Sequence, residues 1–315
     1  MQIVILDGYT LNPGDLDYSV LKQFGTLSVY DRTPADQIKN RLLGADIVFT
    51  NKTPIREEHL QKANRLRYIG VLATGYDVVD VAAAARRGIP VCNVPGYGTD
   101  TVAQHVFALL LEICQNVGLH DHSVHSGRWA NCPDYCYWET PLIELSGKTL
   151  GIFGCGAIGR KVASIAQAFG MEVIGCSKNQ RPGFVGEYVD FDTLLARSDV
   201  LSLHCPATEE TRGLINRDTI AKMKDGAILI NTARGALVVE EDLAQALNDR
   251  KLYAAGLDVS VREPISPASP LLKARSCYIT PHIAWASLEA RQRLLNITVD
   301  NLRAFLAGAP RNRVN

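Results

Sequence analysis

Residues 150–183, LGIFGCGAIGRKVASIAQAFGMEVIGCSKNQRPG, decide how the rest of the chain is read. An apolar run, TLGIF (149–153), leads into Gly154, Gly156 and Gly159 in the pattern G-x-G-x-x-G. Ile158, Val162, Ile165, Ala166 and Phe169 then recur at helical spacing, and a second apolar run, MEVIG (171–175), follows. Strand, glycine turn, one-sided helix and second strand together form the context in which such a turn binds a dinucleotide. The first glycine makes the tight turn, the second lets backbone approach a pyrophosphate, and the third lets helix and strand pack closely. The start of the helix, with Ala157 and Ile158, points unsatisfied N–H groups at that anion.

About twenty residues on, an acid would accept hydrogen bonds from a ribose and repel a 2′-phosphate. The chain has Ser177, Lys178 and Arg181 there instead. A hydroxyl and two cations attract phosphate, and the guanidinium does so through a fixed fork of donors. The expected cofactor is NAD(P)(H), with NADP(H) favoured over NAD(H). In the other reading Lys178 and Arg181 are solvated loop charges and the chain uses NAD(H).

Similar apolar segments occur at 2–6, 45–50, 68–72 and 89–93, and again at 149–153, 171–175, 199–204, 227–231, 254–258 and 277–280. Short continuous apolar runs separated by helical patterns predict parallel strands covered on both faces. Two longer helical stretches, 101–118 and 287–308, bracket the second set. The expected fold is α/β, with two Rossmann-like/flavodoxin-like domains. A dinucleotide-binding domain at 100–285 is inserted into a substrate domain formed by 1–99 and 286–315.

Lys plus Arg number 33 and Asp plus Glu number 33, so neither nucleic acid nor an anionic membrane is expected as a partner. Hydrophobic residues make up 47% of the 315, yet no apolar run reaches the eighteen or so residues of a membrane span. The opening MQIVILDGYT lacks a secretory signal, and a cytoplasmic location is expected. The eight cysteines read as thiols of a reducing compartment. His120, His122, His125, Cys132 and Cys136 do not have the spacing of a structural zinc site, and no metal is expected.

In order and spacing, GCGAIG, HCPATEETRGLIN, NTARGALV, LDVSVREP and TPHIAW resemble the D-isomer-specific 2-hydroxyacid dehydrogenases, over about residues 40–300. YDRTP, NKTP, VLATGYDVVD and NVPGYGT look closest to the glycerate dehydrogenase (hydroxypyruvate reductase) group. The resemblance implies hydride transfer between NAD(P)H and a small 2-ketoacid, chiefly hydroxypyruvate or glyoxylate. Arg234 would hold the substrate carboxylate and carbonyl, a geometry suited to its planar fork. The turn Leu72, Ala73, Thr74 and Gly75 would take the rest of the carboxylate through backbone N–H groups. His282 would be the general acid/base, for which imidazole is suited, with Glu263 stabilising its imidazolium. Asp258, Cys205, Pro206, Thr232, Ala233, His282 and Ala284 would line the nicotinamide and ribose pocket.

The resemblance also implies a homodimer through the dinucleotide domains, with the aromatic arm SGRWANCPDYCYWETPL (126–142) wrapping the neighbour. Trp138 or Tyr135 either limits substrate size in the partner's site or simply packs the contact. Two further readings are a phosphoglycerate dehydrogenase-like enzyme and a non-catalytic corepressor-type scaffold of the same fold.

Overall fold

The computed structural model describes residues 1–315, and the chain divides into two compact units. One comprises Met1–Gly98 with Trp285–Asn315, and the other Thr99–Ala284. Each boundary lies one residue before the expected position.

The first unit holds a parallel sheet of β1 (Gln2–Ile5), β2 (Thr26–Val29), β3 (Ile47–Thr50), β4 (Tyr68–Val71) and β5 (Val91–Cys92), ordered β2-β1-β3-β4-β5. This is the flavodoxin-like order, which reverses between the first and third strands. β3 and β4 are buried along their whole length, whereas β2 is an edge strand that stays partly exposed. Helices α1 (Ile38–Leu43), α2 (Glu57–Leu60) and α3 (Val81–Arg86) connect the strands.

At the reversal the backbone N–H groups of Asn51, Lys52 and Thr53, just past β3, converge on one point. The carboxylate of Asp7, 3% exposed and just past β1, accepts all three, at 2.9, 2.6 and 2.7 Å. A buried carboxylate needs such donors, and buried N–H groups need an acceptor. The place where an open α/β sheet ordinarily offers room to a ligand is therefore closed by the chain itself.

The second unit begins with α4 (Thr99–Gln115) and α5 (Val117–His125). Its seven parallel strands are β6 (Thr149–Phe153), β7 (Glu172–Cys176), β8 (Glu187–Tyr188), β9 (Val200–Leu203), β10 (Ala227–Asn231), β11 (Leu252–Leu257) and β12 (Cys277–Ile279). They run β12-β11-β10-β9-β6-β7-β8, a Rossmann order extended by one strand, reversing between β6 and β9. Helices α6 (Ala157–Ala168), α7 (Phe191–Arg197), α8 (Arg217–Lys222) and α9 (Glu240–Asn248) link them. Two apolar clusters result: one with Val106, Leu110, Val162 and Ile230, the other with Leu203, Leu229, Leu243 and Leu257. Each such side chain taken fully out of water contributes about 1.5–3 kcal/mol before entropy is counted.

The stretch 101–118 is not one helix. It breaks at Asn116, whose φ of 48° is left-handed, a region asparagine tolerates. The Asn116 amide donates to Ile113 O and Thr140 Oγ1 and accepts from the Tyr278 hydroxyl at 2.8 Å. The last long helix, α10 (Leu288–Leu306), opens on a Ser287 cap and packs Leu294, Leu295 and Leu302 into the core of the first unit. No single helix is long and apolar enough to cross a membrane; α4 and α5 pass that test only jointly, across a 55° bend.

Asp7→Ala leaves three convergent N–H groups, those of Asn51 and Thr53 buried, without their acceptor and is expected to cost about 2–4 kcal/mol of unfolding free energy. Urea denaturation measures this, and an unchanged midpoint would show that Asp7 does not hold the turn.

Candidate active site

All parallel strands of the second unit end on the same side, and the polar residues singled out in this unit lie on that rim. Gly154 follows β6 with φ +101°, and a Cβ there would sit 2.7 Å from the His204 carbonyl, on the segment following β9. Gly159 is equally confined, since its Cβ would meet Gly154 O at 2.3 Å. Gly156 differs: a Cβ there meets nothing within 4 Å, and it caps α6 without any side-chain hydrogen bond. The open approach and the uncapped N–H groups beside Ala157 and Ile158 suit a phosphate-bearing ligand. His204 donates to or accepts from Ser202 Oγ at 2.8 Å, and burial pushes its imidazole down to about 4, so the ring is neutral near pH 7. Burial also pushes the Cys205 thiol up to about 11, which argues against a nucleophilic role.

Thr232 and Ala233 follow β10. Thr232 Oγ1 is buried and has no partner within the protein, an orphan hydroxyl of the kind a bound polar group would satisfy. Arg234 comes next, partly buried, its Nη1 donating to Ala233 O at 2.8 Å. The loop is shaped by Asn231, 1% exposed, which donates to Arg234 O at 2.9 Å and accepts from Ala233 N–H at 3.0 Å. Gly235 then presses against the next loop: a Cβ there would lie 2.0 Å from the Ser260 carbonyl carbon. Only a glycine lets the arginine loop and the glutamate loop approach this closely.

Glu263 sits on that second loop, and its Oε1 accepts from Ser260 N–H at 3.3 Å. Its Oε2 lies 2.6 Å from His282 Nδ1. Glu240, at the start of α9, steadies the loop by accepting from Val261 N–H at 2.8 Å and Ser269 Oγ at 2.6 Å. His282 is half-buried, just past β12, with φ +55°.

Asp258 does not present a free carboxylate. It is 1% exposed, and Oδ1 accepts from Ile283 N–H and Thr280 Oγ1, at 2.8 and 2.6 Å. Oδ2 accepts from Ala284 N–H at 2.8 Å. Asp258 and the Ala284 amide engage each other, and this pairing holds the segment that carries His282.

Ser177 is partly buried after β7, while Lys178 and Arg181 are exposed. Lys178 Nζ lies 3.4 Å from Glu210 Oε2, and the Arg181 backbone is tied to the Tyr188 hydroxyl. Pro206 O accepts from Thr211 Oγ1 at 2.7 Å. In the first unit, the turn Leu72–Gly75 follows β4. The Leu72 N–H donates to Thr50 O at 2.8 Å and is thus unavailable to a substrate, which leaves the amides of Ala73, Thr74 and Gly75. Thr74 Oγ1 donates to Val94 O, and Asn93 Nδ2 to Thr74 O, fixing the turn.

Asn231, Gly235, Glu240, Thr280 and His105 are parts of this site that motif reading missed. Asn231 and Gly235, inside NTARG, and Thr280, inside TPHIAW, carried a local signal, whereas Glu240 and His105 carried none.

A family profile described as "D-isomer specific 2-hydroxyacid dehydrogenase, NAD binding domain" matches residues 107–284. A hydroxypyruvate reductase of Blautia hydrogenotrophica is 53% identical over 321 residues, covering 100% of both chains. A glycerate dehydrogenase of Methylorubrum extorquens is 40% identical, covering 99% of this chain and 98% of its own. A D-lactate dehydrogenase from Aquifex aeolicus, solved with NAD and lactic acid, superposes with a TM-score of 0.84 at 30% identity, covering 98% of this chain and 96% of that one.

Proposed function

The chain belongs to the D-isomer specific 2-hydroxyacid dehydrogenases, and we propose that it reduces hydroxypyruvate to D-glycerate, and glyoxylate to glycolate, in the cytoplasm. The observation that carries this is the 2.6 Å pairing of His282 with Glu263 on the strand-end rim that also holds Arg234 and the glycine turn. A nicotinamide cofactor, when bound, supplies the hydride. Gly154, Gly156 and Gly159, with the start of α6, would hold its pyrophosphate, and Cys205, Pro206, Thr232 and Ala233 would flank the nicotinamide and ribose.

Arg234 binds the ketoacid carboxylate and polarises the carbonyl, its two-pronged donor set fixing the plane of the substrate. Glu263 accepts from Nδ1–H of His282, which makes Nε2 the nitrogen that delivers a proton to the carbonyl oxygen. In the reverse direction the same atom takes the hydroxyl proton. The carboxylate of Glu263 stabilises the charged ring and sets its orientation.

Ser177, Lys178 and Arg181 favour NADP(H) in this proposal. A 2′-phosphate would compete with Glu210 for Lys178, so the preference is modest. A homodimer is proposed from the apolar groups left in solvent on α5 and the arm: Val117, Leu119, Trp129, Tyr135, Trp138 and Leu142.

Loss of NADPH or NADH absorbance with hydroxypyruvate tests the reaction, and no turnover with either cofactor would refute it. His282→Ala should lower kcat by about two to four decades; near-normal turnover would take His282 out of the mechanism. Ser177→Asp should reduce the NADPH/NADH ratio of kcat/KM about tenfold or more through repulsion, and an unmoved ratio removes the phosphate reading. Sedimentation should give the mass of two chains, whereas one chain at every concentration would exclude the dimer.

A further inference from the structure

We propose that His105, on the first helix of the second unit, is a positioning residue for His282, acting through Thr280 and Asp258. The inference rests on the assignment of His282 as the proton donor.

His282 adopts a left-handed backbone (φ +55°), which a residue with a Cβ keeps only where the surroundings impose it. The surroundings here are explicit. The N–H of His282 donates to Thr280 O at 3.0 Å, and the next two amides, Ile283 and Ala284, donate to opposite oxygens of Asp258, each at 2.8 Å. The position of the imidazole thus follows from where the Asp258 carboxylate is held.

One of those oxygens, Oδ1, also receives the Thr280 hydroxyl at 2.6 Å. A threonine hydroxyl has one proton, and a carboxylate can only accept, so the proton points at Asp258. Thr280 Oγ1 must then act as acceptor towards His105 Nε2, 2.9 Å away, which fixes the proton on that nitrogen. Nε2 lies 3.6 Å from Asp258 Oδ1 as well. The chain has a single direction: His105 N–H to Thr280 O–H to Asp258. Aligned hydrogen bonds of this kind strengthen one another.

Without the histidine donor, the Thr280 hydroxyl has a second acceptor, Leu257 O at 3.5 Å. A hydroxyl turned that way leaves Oδ1 with one donor fewer and loosens the peptide that follows His282. Small displacements of a proton donor reduce rate more than binding. The signature of a positioning role is therefore a fall in kcat at nearly constant KM.

The experiment compares wild type, His105→Leu, His105→Gln, Thr280→Val and Thr280→Ser with NAD(P)H and hydroxypyruvate. His105→Leu and Thr280→Val should each lower kcat about tenfold, with KM for both substrates within about twofold. His105→Gln, whose amide offers an N–H at similar reach, and Thr280→Ser, which keeps the hydroxyl, should recover to within about threefold. The double variant His105→Leu/Thr280→Val should lose no more than either single, because both break one chain. Equal losses in the Leu and Gln variants, an effect confined to KM, or additive losses would overturn the proposal. If His105→Leu fails to fold, the Thr280→Val and Thr280→Ser pair decides. The ring resonances of His282, assigned with His282→Ala, should shift in Thr280→Val and return in Thr280→Ser. That readout needs no turnover, so an error in the proposed reaction and an error in this link give different results.

Discussion

A carboxylate removed from water must be surrounded by donors, and the arrangement that satisfies Asp258 also builds the site around it. Its two oxygens draw in two amides and a hydroxyl from the segment past β12. The cost of leaving such a group unpaired, several kcal/mol, far exceeds the cost of one left-handed residue. His282 therefore keeps its unusual backbone as a by-product of satisfying a buried charge. Glu263 then acts on a ring whose anchor is already set, and Gly235 lets the arginine loop lie against the loop bearing Glu263.

The two units use one architectural idea in opposite ways. Both are parallel sheets with an order reversal, and in each the reversal gathers backbone N–H groups at strand ends. In the second unit the turn is glycine-rich, and the helix start at Gly156 has neither a capping side chain nor a neighbour filling the space. In the first unit an aspartate from the preceding strand end fills the equivalent place. One reversal is built to receive an anion from outside, while the other carries its own.

Most of this was legible in the sequence because its physics is local. The glycine turn needs strand, turn and helix within about thirty residues, and continuous apolar runs such as AILIN become strands wherever helices cover them. Edge strands β2 and β8 were missed since short, half-exposed segments lack an apolar run to mark them. The break at Asn116 depends on Tyr278, 162 residues away, and no local pattern announces such a partner. His105 was hidden for the same reason, as its partner lies 175 residues on. Asp258 was recognised as part of the site, but its internal partners were not. Its motif says that an acid stands there and says nothing of the amides that converge on it.

The self-contained anion of the first unit also bears on redesign. Shortening Asp7 to glycine would bare three convergent amides at the mouth of a parallel sheet, an arrangement shaped for an oxyanion such as sulfate or phosphate. A chain so altered would become responsive to the buffer it is dissolved in, and its folding could be switched by a small inorganic ion in place of a side chain.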